Sequence, residues 1–81
     1  MNIYLLSQDI NNGYDTFDSM VVYANTEEEA KNMHPEQNSR YGWGSEWGSW
    51  AKIPEQVDIQ YIGTNPSITE PSIILASFNA G

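Results

Sequence analysis

Two stretches of this chain concentrate the side chains that could do chemistry. The first is SQDINNGYDTFD, 7–18, which sets Asp9, Asn11, Asn12, Asp15 and Asp18 within ten residues. So many oxygen ligands at close spacing would suit a hard cation such as calcium. The order is wrong for a calcium loop, which needs a glycine at its sixth position and a closing glutamate at its twelfth. Asp15 and Asp18 could be drawn as a general acid and base, but that work requires a pocket and shifted proton affinities. Asn and Asp also bond their own backbone, and Asn-Asn-Gly tolerates positive φ, so the stretch reads first as turn chemistry. Loops this long in small domains often carry function. Asn11, Asn12, Tyr14, Asp15 and Asp18 are therefore candidates for contact with a partner or ligand.

The second stretch is EQNSRYGWGSEWGSWAK, 36–52, which holds Trp43, Trp47 and Trp50 within eight residues, with Arg40 and Tyr41 just before them. Trp and Tyr bury large areas at low entropic cost and dominate binding hot spots. They can also stack on a base or a sugar. A thin core can equally recruit them as filler, with each indole N–H reaching a carbonyl. Arg40 could add a cation–π contact or hold a phosphate. Arg40, Trp43, Trp47 and Trp50 join the candidate binding residues, with at least one Trp expected in the core. The segments GSEW and GSW echo each other, but two short copies are no repeat architecture.

Other chemistries are excluded or lack companions. There are no cysteines, so disulfides, thiolate metal sites and cysteine nucleophiles are absent. His34 is the single histidine, and no triad or metal site can be assembled around it. At the end of a helix it would cap carbonyls or favour the dipole. No catalytic residues, metal ligands or cofactor are assigned, and the expectation is a protein that is not an enzyme.

Charge narrows the partners. Eleven acids oppose three bases, a net charge of −8. Phosphate backbones repel such a surface, which disfavours direct nucleic-acid binding. A protein with a basic surface is favoured, because opposite potentials steer encounter. The same acidity also serves simple solubility. The N-terminus MNIYLLSQD does not read as a signal peptide, and no stretch approaches the ~20 apolar residues of a membrane span. A cytoplasmic protein with no membrane partner is expected, and association with further copies of itself stays open.

These segments must be positioned by a single domain, 1–81, of modest stability, about 0.05–0.15 kcal/mol per residue. Residues 3–6, IYLL, and 19–24, SMVVYA, predict two strands. Thr26 followed by Glu29 is a capping box, and Glu27, Glu28 and Glu29 suit the positive end of a helix dipole. The helix is expected to run about two turns, stop before Pro35 and pack on a sheet. VDIQYIG, 57–63, alternates, with Val57, Ile59 and Tyr61 on one face. SIILASF, 72–78, is the last strand, with Ile73, Ile74 and Leu75 at its centre. The order β-β-α-β-β predicts an α+β fold: a small antiparallel sheet with one short helix on one face and an aromatic-rich loop.

The segments YLLSQDINNGYDTFDSMVV, TEEEA with its following HP, WG–WGSW, YIGT and the terminal ASFNAG span nearly the whole chain. Through them the chain resembles a family of small bacteriophage and prophage proteins. The resemblance brings no activity and no catalytic residues. It implies a phage accessory protein made in the cytoplasm of a host bacterium. The resulting expectation is a binding protein that acts by occupancy, such as an inhibitor of a host defence or regulatory protein. The alternatives are a sponge for a small nucleotide signal and an interaction module of a phage complex.

Overall fold

The computed structural model describes residues 1–36 and 42–80. Four strands run antiparallel in one sheet: β1 (Asn2–Ser7), β2 (Thr16–Ala24), β3 (Asp58–Thr64) and β4 (Ser72–Asn79). Among the described residues one α-helix, α1 (Glu27–Lys31), follows β2, and a 3-10 turn, Pro54–Gln56, leads into β3. The antiparallel sheet is as the strand patterns predict. The α+β class is not: the chain is mostly β, with five α-helical residues and three in the 3-10 turn among those described. The strands also do not lie in chain order, since the sheet runs β3-β1-β2-β4 and the two later strands flank the first two.

The helix is shorter than its two predicted turns for a local reason. Thr26 accepts from the Glu29 N–H at 3.1 Å, so the N-cap forms. Glu29 returns its carboxylate to the Asn25 N–H at 2.7 Å, one residue before the cap. Asn32 then caps the other end, its side chain donating to the Glu28 carbonyl at 2.8 Å. Between these clamps only Ala30 is buried, so there is little apolar surface to extend the helix.

Strand register sorts the side chains. Tyr4 pairs with Val22 and Tyr61, and Leu6 with Met20 and Ile59. This face, covered by α1 and the tryptophan segment, is the core: Tyr4, Leu6, Met20, Val22, Ala24 and Val57 with Ala30, Trp50 and Ala51. The Tyr4 and Tyr61 rings meet edge to face at 5.9 Å. The opposite face carries Ile3, Leu5, Val21, Tyr23 and Leu75. Both outer strands hold an extra residue. Ile62 stands between the pairs Ile3–Gly63 and Tyr4–Tyr61, and Ile74 between Val21–Leu75 and Val22–Ile73. Ile74 is consequently 46% exposed, not a core residue at the centre of β4.

β2 begins three residues earlier than its apolar run, because Thr16 and Phe17 pair with Asn79 and Phe78 of β4. Long-range pairing extends a strand that local pattern would leave as loop. The connection between β1 and β2 shrinks to residues 8–15.

Candidate functional site

Gln8 organises the first loop. Its amide nitrogen donates to the carbonyls of Asn11 at 2.6 Å and Phe17 at 2.8 Å. Its side-chain oxygen accepts from the N–H groups of Ile10 at 3.0 Å and Asn11 at 2.9 Å. Buried polar atoms must be paired, and this amide is paired at both ends. The loop is folded back on itself and thrusts its tip outward. There Tyr14 is 82% exposed and Asp15 takes a φ of 60°, a left-handed conformation that Asp tolerates better than most residues. The Asp15 N–H donates to the Asn79 carbonyl at 2.6 Å, which ties the tip to the end of β4.

From Gly42 to Gly48 the tryptophan segment makes two successive turns. Ser45 N–H donates to the Gly42 carbonyl and Gly48 N–H to the Ser45 carbonyl, each at 3.2 Å. Gly44 takes a φ of 73°, and a Cβ on Gly48 would sit 3.3 Å from the Ser45 carbonyl oxygen. Those two positions explain why glycine punctuates the segment. The turns send the three indoles to different places. Trp50 is 1% exposed and lies in the core. Trp43 is half-buried, packs edge to face on His34 at 4.9 Å and directs its indole N–H at the Asn32 carbonyl at 3.4 Å. Trp47 is 68% exposed.

The two segments are stitched to each other. The Asn11 amide donates to the carbonyls of Gly48 at 2.7 Å and Trp50 at 3.3 Å, and Phe17 N–H donates to the Ser49 carbonyl at 2.7 Å. The result is a cleft of about 380 Å³ lined by Tyr14, Asp15, Glu36, Trp47, Gly48, Ser49 and Phe78. That volume lies at the small end of the range for ligand sites, about 300–1,000 Å³. Phe78 reaches it from β4 and rests on Phe17 at 4.8 Å between ring centres. Ser49 is only 4% exposed, and its Oγ has no hydrogen-bond partner.

Of the residues singled out from sequence, Tyr14, Asp15 and Trp47 come together in this cleft. Asn11 braces it. Asn12 is exposed and donates to the Asp9 carboxylate at 3.3 Å, while the Asp18 carboxylate accepts from its neighbour Ser19 at 3.1 Å. Trp43 and Trp50 belong to the packing on the covered face of the sheet. Arg40 lies outside the described residues. Glu36, Ser49 and Phe78 were not among the sequence candidates. Only topology brings them there, since they come from the helix exit, the tryptophan segment and the last strand.

A second hollow of about 620 Å³ shares Gly48 and is edged by Ile10, Asn11, Glu46, Trp50 and Lys52. Its charges are of both signs, and the Asn11 amide on its wall is already committed to Gly48 and Trp50. Buried in the region are two further unpaired polar atoms, Nε2 of His34 and the indole nitrogen of Trp50. Burial holds the His34 imidazole below its ordinary range. Its Nδ1 accepts the Glu36 N–H at 2.9 Å, which leaves the proton of the neutral ring on Nε2.

Among the described residues no group of three or more His, Asp or Glu side chains could hold a metal ion. Nor is any helix among them long and apolar enough to cross a membrane. No protein-family model, curated protein or solved structure matches the chain.

Proposed function

We propose that this chain is a binding protein that acts by occupancy, docking on a basic surface of another protein. The observation that carries the reading is the cleft in which exposed Tyr14 and Trp47 stand beside the carboxylates of Asp15 and Glu36. Exposed aromatic rings are costly to leave in water and are frequent anchors of interfaces. The net charge of −8 supplies the long-range attraction. Taken with the resemblance to phage and prophage proteins, the partner is a host defence or regulatory protein and the setting is the host cytoplasm.

Occupancy is favoured over catalysis by the chemistry of the cleft. Among the described residues of the lining the buried hydroxyl is Ser49 Oγ, and it has no hydrogen-bond partner, so it is not paired with a base that would activate it. A phosphate-bearing ligand is disfavoured, because it would face Asp15 and Glu36 with no cationic side chain among the described residues of the lining.

The test is capture from a host lysate by the immobilised chain at about 0.05 M and about 0.5 M salt, where screening differs severalfold. Wild type should retain a basic protein at the lower salt, and Trp47→Ala should lose it. Equal recovery by wild type and variant, or recovery of nothing at either salt, overturns the proposal.

A further inference from the structure

We infer that the Tyr14–Trp47 cleft receives a guanidinium group, the side chain of an arginine on the partner. The inference deepens the binding reading above and rests on it. Hydrogen-bond accounting around the cleft points to the class of ligand. The backbone N–H groups of Asp15, Glu36, Trp47 and Gly48 are all spent inside the protein, on Asn79, His34 Nδ1, Ser45 Oγ and the Ser45 carbonyl. The charged side chains among the described residues of the lining are acceptors alone. These are the Asp15 and Glu36 carboxylates; beside them the Tyr14 hydroxyl can turn either way and the Trp47 indole N–H can donate.

A second observation is independent of the acids. Ser49 is 96% buried, lines the cleft, and leaves its Oγ unpaired. A buried hydroxyl without a partner is uncommon in a folded chain, and this one belongs to a residue of the cleft lining. The walls add a third constraint. Three of the lining residues, Tyr14, Trp47 and Phe78, are aromatic, and on aromatic rings a flat, weakly hydrated cation stacks better than a compact ammonium. Guanidinium has five N–H donors, no acceptor and a planar π surface, so it matches acceptors, charge and walls together. A neutral base would match the walls and leave two carboxylates unanswered. Lysine would answer the charge and use the walls less well.

The test uses the full chain and three probes: the blocked amides of arginine, lysine and citrulline, the last a neutral near-isostere of arginine. Amide chemical shifts and Trp47 fluorescence are followed to about 20 mM, the range in which a single side chain binds with a Kd of roughly 1–10 mM. Arginine amide is expected to shift Tyr14, Asp15, Trp47 and Ser49. Lysine amide should bind severalfold more weakly, and citrulline amide at least about tenfold more weakly. Asp15→Asn and Ser49→Ala should each weaken arginine binding while the melting temperature holds, since neither removes a bond that the side chain makes within the fold.

Absence of shifts at these residues, or an equal response to citrulline, overturns the guanidinium assignment. If Trp47→Ala still abolishes capture of a basic host protein in that case, the occupancy reading stands without it. If capture also ignores Trp47, both fall.

Discussion

The side-chain amide of Asn11 donates to the backbone carbonyl of Gly48 at 2.7 Å, across 37 positions of chain. This bond joins the loop that presents Tyr14 to the turn that presents Trp47. Asn11→Ala should therefore cost about 1–2 kcal/mol in urea unfolding, the loss of a partly buried hydrogen bond. It should also broaden or shift the Trp47 emission, although Asn11 is not in the cleft lining. Unchanged stability together with an unchanged emission spectrum would show that the two loops hold their places without it.

The tryptophans should separate cleanly by stability. Trp50→Ala empties a site in the core and should cost about 3–5 kcal/mol, a large part of what an 81-residue chain has. Trp47→Ala lies on the surface and should stay within roughly 0.5 kcal/mol. Circular dichroism melts of both variants check this, and similar losses in the two would contradict the placement of Trp47.

Asp15 joins backbone and charge in one position. Asp15→Asn keeps a residue suited to its φ of 60° and should melt with the wild type. Asp15→Val puts a β-branched side chain into that conformation and should lose on the order of 1–2 kcal/mol. A valine variant as stable as the asparagine one would mean that the loop tip relaxes out of the left-handed region.

His34 sets a pH dependence whose sign follows from its burial. Its proton affinity is lowered in the folded chain, against an unfolded value of about 6.5. Protonation therefore favours the unfolded state. Its contribution is intact above that value and is lost as pH falls below it toward the folded pKa. Urea midpoints should decline from about pH 7 to about pH 5, and His34→Gln should remove part of that slope. A midpoint that rises over this window, or a slope indifferent to the substitution, would place the imidazole in contact with water.

Much of the sheet was legible in sequence, because alternation survives at Ile59 and Tyr61 and β-branched runs survive at Val21 and Val22. The N-cap at Thr26 was legible for the same reason, being written in neighbouring residues. What sequence hid was decided at long range. Pairing of Thr16 with Asn79 lengthened β2, and the extra residue at Ile74 turned an apolar side chain outward. Of the candidate site, Tyr14, Asp15 and Trp47 could be named from type alone. Glu36, Ser49 and Phe78 could not, since a common serine or a strand phenylalanine gains its meaning from what the fold sets beside it. The three indoles looked equivalent in sequence, and only the two glycine turns gave them different fates.

The extra residues at Ile62 and Ile74 bear on how the molecule behaves in a crowd. β4 has no charged side chain along Ser72–Asn79, and an outer strand of that kind invites a foreign strand to zip alongside it. A kink midway breaks the even spacing that zipping requires, and β3 carries the same kind of fence on the far side. Deleting Ile74 would even out the rim, and concentrated solutions of that variant should scatter light increasingly with time where the parent stays clear.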